Sequence, residues 1–141
     1  MVINIQSLLK SGFISGLVIN ISAIGMVPLV GDQFNIVLAN RGLPPLSSWG
    51  MAYFSSFSFL MGFFLVWLYA VAKVQFGPGM KTAVILAVIV WMHAYLLPNV
   101  AMVVYGFMPI RLTAIGTAWG LIELVAACIV GSKIYKDVYT E

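Results

Sequence analysis

Charged residues divide the chain into four long apolar runs. Residues 11–31 lie between Lys10 and Asp32, and 42–72 between Arg41 and Lys73; 82–110 lie between Lys81 and Arg111, and 112–132, interrupted only by Glu123, between Arg111 and Lys133. A bilayer's hydrocarbon core is about 30 Å thick and takes roughly 20 helical residues to cross. Each run therefore crosses once and is too short to cross twice. None alternates apolar and polar positions as a barrel strand would. The pattern predicts an all-α polytopic membrane protein, with four transmembrane helices at about 11–30, 49–73, 81–104 and 112–133. They would form an antiparallel bundle, a single domain over 1–141.

The connections carry their own signals. Between the first two spans, Asp32 can cap a short helix with Phe34, Val37 and Leu38 on one face, and Gly42 supplies its stop before Leu43-Pro44-Pro45. This predicts a small interfacial helix after the first span. Gln75-Phe76-Gly77-Pro78-Gly79 reads as a tight turn, and Gly106 to Arg111 as a second. The first run is too long for a signal-peptide core, and only Lys10 precedes it, so it reads as a retained helix.

Composition sharpens the class. Hydrophobic residues make up 62% and charged residues 8% of 141, far from soluble usage. The net charge of +3 is scattered and forms no basic stripe for nucleic acid. One cysteine, Cys128, excludes an intramolecular disulfide or a multi-thiolate metal site. Cations are asymmetric by side: with the termini and the second loop together, that side holds Lys10, Lys73, Lys81, Lys133 and Lys136, against Arg41 and Arg111 opposite. The positive-inside rule then makes both termini cytoplasmic, in a bacterial inner membrane. Trp49, Tyr95, Tyr105 and Phe107 would mark the outer interface, and Trp67 and Tyr69 the inner one.

Polar groups at mid-membrane are the candidates for chemistry. Glu123 lies ten residues before Lys133, about 15 Å deep at a rise near 1.5 Å per residue. An ionised carboxylate there costs at least a few kcal/mol, so it faces protein or water, or takes up a proton. The same arithmetic brings Asn20, ten residues past Lys10, and His93, twelve past Lys81, to its level. Asn20, His93 and Glu123 are thus expected as a buried polar cluster. Two readings stand: interhelical glue, or a group handling protons or a ligand. His93 is also chemically able to ligate a haem or chlorophyll, although no second ligand or motif accompanies it. Pro98 frees the carbonyl of Ala94 and predicts a kink beside His93.

Small residues predict where helices approach. Gly116, Gly120 and Gly131 share one face with Glu123 and Ala127, and Gly12 and Gly16 continue the face of Asn20. Ser55, Ser58 and Gly62 form a third small face. The second span holds an aromatic stripe, Trp49, Tyr53, Phe57, Phe64 and Trp67, which would face lipid or a partner helix, or line a lipid, quinone or pigment site. No HExxH, GxSxG or phosphate-binding glycine loop occurs, and no metal or cofactor is predicted.

Val66-Trp67-Leu68-Tyr69-Ala70, Phe76-Gly77-Pro78-Gly79-Met80-Lys81-Thr82-Ala83, Gly42-Leu43-Pro44-Pro45 and Trp119-Gly120-Leu121-Ile122-Glu123 resemble a group of small bacterial four-span membrane proteins to which no activity is assigned. The resemblance implies fold and topology alone. The expected role is a noncatalytic accessory or scaffold subunit that contacts membrane lipid, other membrane-protein subunits or further copies of itself. The alternatives are a small proton-coupled transporter or channel using Glu123, and an intramembrane enzyme acting on a lipid or quinone.

Overall fold

The computed structural model describes residues 3–137, and among them every regular element is helical. Four helices are long and apolar enough to cross a membrane: α1 (Ile5–Ala39), α2 (Ser48–Phe76), α3 (Met80–Val104) and α4 (Ile110–Ile134). Helices satisfy their own backbone polar groups, which is what lets these segments exist in hydrocarbon. α1 starts at an Asn4 cap whose side chain accepts from Ser7 N at 3.0 Å, and α2 at a Ser47 cap accepting from Gly50 N at 3.1 Å. In the α2–α3 turn Gly77 and Gly79 take φ of +82° and +131°, conformations that side chains disfavour. Thr82 Oγ1 donates to the Gly77 carbonyl at 2.7 Å, and Gly79 N to Tyr69 Oη at 3.0 Å, closing the hairpin.

The expected interfacial helix does not form as a separate element. α1 runs through Pro28, Gly31 and Asp32 without interruption and ends at Ala39. Pro28 deletes one amide bond, whereas breaking the helix at membrane depth would strand several backbone groups. Continuation is cheaper. The stop lies where glycine permits it: Gly42 takes φ +67°, and Leu43 N reaches back to the Leu38 carbonyl at 3.0 Å.

α1 packs antiparallel on α2 and on α4, and α3 packs on α4 and α2. The core lies on a seam of Ile19, Leu65, Tyr69, Leu86, Val90, Leu124 and Cys128. Backbones approach most closely at the α1–α2 crossing, where Gly62 faces Gly12 and Gly16, and a Cβ on Gly62 would stand 2.6 Å from the Gly12 carbonyl oxygen. Gly131 likewise leaves room for Val66 and Ser15. Gly116, by contrast, has open space around its α-carbon and seats no neighbour.

The two ends of the bundle differ. At one end Lys136 N donates to Ser7 Oγ at 2.6 Å, and Asn4 N to Tyr135 Oη at 3.3 Å. Lys73 pairs with Asp137 at 2.6 Å and lies over the Tyr135 ring at 4.5 Å. At the other end Arg41 donates to the Gly106 carbonyl at 2.9 Å and covers the Phe107 ring, tying the end of α1 to the α3–α4 turn.

Candidate functional site

Polar side chains inside the bundle line up along α4. Glu123, 5% exposed, accepts from Tyr95 Oη at 2.8 Å. Gly120, one turn earlier, makes space for the Tyr95 ring: a Cβ there would stand 2.5 Å from Tyr95 Cε1. Ser22 on α1 lies beside the carboxyl and accepts from Trp119 Nε1 at 2.9 Å. Toward the α3–α4 turn, Thr117 gathers three bonds. Its carbonyl accepts from Trp91 Nε1 at 2.7 Å, its hydroxyl accepts from Asn99 Nδ2 at 2.7 Å, and that hydroxyl donates to the Thr113 carbonyl at 2.7 Å. Toward the opposite end Ser15 Oγ donates across to the Ala127 carbonyl at 2.8 Å.

A π turn at Met92–Leu96 positions the α3 side of this seam, with Leu97 N bonded to the Met92 carbonyl five residues back. Pro98 lacks the amide that would continue the ordinary ladder, and the wider turn absorbs the defect. In a straight α-helix, positions eight apart drift by about 80° in azimuth. The extra residue in a π turn offsets that drift, so Trp91, Tyr95 and Asn99 all reach α4. The kink expected at Pro98 takes this form.

The three residues expected to converge go separate ways. Glu123 meets Tyr95. Asn20 meets α2: Ser55 Oγ donates to Asn20 Oδ1 at 2.6 Å, and Asn20 Nδ2 donates to the Ser55 carbonyl at 3.2 Å. His93 is exposed on the face turned from α4, its Nδ1–H bonded to the Ile89 carbonyl at 2.9 Å. Equal depth brought them level but not onto facing sides. Tyr95 is no outer-interface marker, since its hydroxyl lies at the level of Glu123.

Of the glycines expected to pack, Gly12, Gly16, Gly120 and Gly131 are buried against neighbours. The aromatic stripe Trp49, Tyr53, Phe57, Phe64 and Trp67 faces outward, from 86% exposed at Trp49 to 43% at Trp67. Ser22, Trp91, Asn99, Thr117 and Trp119 were not anticipated. The spacing of Trp91, Tyr95 and Asn99 at intervals of four is the signal that marks them.

Among the described residues no buried side-chain nitrogen or oxygen lacks a partner, and no three His, Cys, Asp or Glu side chains gather where a metal could bind. Comparison with protein-family models, curated proteins and solved structures finds no match for this chain.

Proposed function

We propose that the protein is a noncatalytic four-span subunit that acts by packing, presenting the outer face of α2 to lipid or to a larger membrane-protein assembly. The observation that carries this reading is the contrast between its inside and its outside. Inside, polar groups are spent on bonds between helices, each worth about 0.6–2 kcal/mol as interhelical glue. Outside, among the described residues, five large aromatic side chains along α2 remain 43–86% exposed. Aromatic residues with a wide contact area and few rotors are favoured at protein interfaces. A transporter or an acid–base enzyme draws less support, because Glu123 is closed in by Tyr95 and His93 turns away from both.

We place both termini on the cytoplasmic face of a bacterial inner membrane. The reading is supported by the lysines at 10, 73, 81, 133 and 136, all at the end of the bundle where α1 begins and α4 ends, with Arg41 and Arg111 at the other. Extraction in a gentle detergent followed by native mass spectrometry tests the role. A stoichiometric protein partner that is lost on Trp67→Ala and Phe57→Ala is expected. A monomer with no protein companion in the native membrane refutes it.

A further inference from the structure

One cleft of the bundle is set apart by a wall that is about half polar. It holds about 340 Å³ between the last turn of α1 and the α3–α4 turn, and is lined by Val37, Asn40, Arg41, Gly106, Met108 and Pro109. Its depth follows from α3. The 25 residues from Met80 to Val104 measure about 38 Å and outreach a hydrocarbon slab of about 30 Å. Gly106, just past that helix, therefore lies among lipid headgroups, beside the paired rings of Tyr105 and Phe107, which are 74% and 53% exposed.

Arg41 is held at the same level. Its Nη2 donates to the Gly106 carbonyl at 2.9 Å, and the guanidinium carbon stands 5.8 Å from the centre of the Phe107 ring. The guanidinium has five N–H groups and spends one on that bond; the rest have no hydrogen-bond partner among the described residues. Asn40 bonds through its backbone N–H, to the Ile36 carbonyl at 3.0 Å, and its carboxamide likewise has no partner among the described residues. No carboxylate lines the cleft, and Asp32, the one acid of α1, precedes Asn40 by eight residues, about 12 Å along the helix.

These groups define what fits. A planar cation with unspent N–H groups matches the oxygens of a phosphate ester. The ammonium of a choline or ethanolamine headgroup would find no acid there to receive it. A hydroxylated headgroup would, because the Asn40 carboxamide both donates and accepts. Val37, Met108 and Pro109 supply an apolar side for the methylene groups next to the phosphate.

We propose that this cleft binds the headgroup of an anionic phospholipid, with the phosphodiester on Arg41 and an uncharged, hydroxylated end on Asn40. Neither the packing role nor the choice of which bundle end is cytoplasmic is needed for it.

The test uses the full chain, produced with photo-methionine, in phosphatidylcholine nanodiscs containing a minor fraction of phosphatidylglycerol. Lipid adducts are read peptide by peptide. Met108 lines the cleft, while Met51 is exposed on the first turn of α2 at the same end and outside it. The ratio of phosphatidylglycerol to phosphatidylcholine adducts is expected to be about fivefold higher at Met108 than at Met51, the factor for one cation at a membrane surface. Phosphatidylethanolamine in place of phosphatidylglycerol should show no such enrichment, a comparison that needs no variant. Soluble glycerol phosphate in excess should leave it unchanged, which separates a lipid headgroup from a free phosphate ester. Arg41→Gln should bring the ratio at Met108 down to that at Met51, and Lys81→Gln, at the opposite end, should not. Equal ratios at the two methionines, equal enrichment of phosphatidylethanolamine, displacement by glycerol phosphate, or enrichment that survives Arg41→Gln would each overturn the proposal.

Discussion

Replacing Gly62 by alanine adds one methyl group at the tightest point of the fold. The new carbon would lie 2.5 Å from Gly16 Cα and 2.6 Å from the Gly12 carbonyl oxygen, with Gly16 N closer still. All three are backbone atoms, so no rotamer change relieves the clash and α1 must move from α2 by about 1 Å to reach ordinary contact. That displacement carries Ser55 Oγ, now 2.6 Å from Asn20 Oδ1, out of hydrogen-bonding range. Overpacking costs typically 1–3 kcal/mol, and an interhelical bond in a membrane adds up to about 1.7. The variant should therefore lose about 2–4 kcal/mol, read as reversible unfolding in a mixed-micelle SDS titration. Gly25→Ala is the control. Gly25 has nothing within 4 Å, and the same substitution there should be neutral or gain up to about 1 kcal/mol in helix propensity. If the two variants unfold alike, the close α1–α2 approach is wrong.

Other changes discriminate along the seam. Glu123→Gln keeps an acceptor for Tyr95 and should shift stability by less than about 1 kcal/mol, whereas Glu123→Leu strands the hydroxyl and should cost about 1–3, by the same titration. A transport activity lost in Glu123→Gln liposomes would contradict the packing role. Asp137→Asn should cost less than about 1 kcal/mol, and the difference should vanish in high salt, because the Asp137 side chain is 58% exposed. For orientation, Cys128→Ala supplies a cysteine-free background. A cysteine at Lys81 should then react with a membrane-impermeant maleimide only in inverted vesicles, and one at Gly42 only in intact cells.

The four spans were legible because hydrocarbon imposes length and charge rules directly on sequence. The stop at Gly42 and the turn at Gly77–Gly79 were legible for the same kind of reason, since glycine there supplies a backbone conformation nothing else takes easily. Pro28, Gly31 and Asp32 would together end a helix in water, but a break at Pro28 inside the apolar span would unpair several backbone groups where the proline removes one, so α1 runs on to Ala39. The buried cluster failed differently. Counting residues from Lys10, Lys81 and Lys133 gives depth and says nothing of azimuth. Azimuth on α3 is set by the π turn, which points Tyr95 at Glu123 and leaves His93 outside. Gly116 shares the spacing of Gly120 and Gly131 yet has no neighbour, because α3 and α4 diverge on its side of the π turn.

The continuity of α1 also makes the four spans unequal to the membrane that holds them. Its 35 residues measure about 52 Å, while the 25 residues of α3 or α4 measure about 38 Å. Even at a steep tilt of about 40°, α1 covers about 40 Å against a hydrocarbon slab of about 30 Å. Mismatch is thus concentrated on one helix, whose last turns carry Ile36 outward, 59% exposed. A thicker bilayer is met by a smaller tilt of α1 and a thinner one by a larger tilt, because sinking its last turns into hydrocarbon would carry Asp32, Gln33 and Asn35 with them.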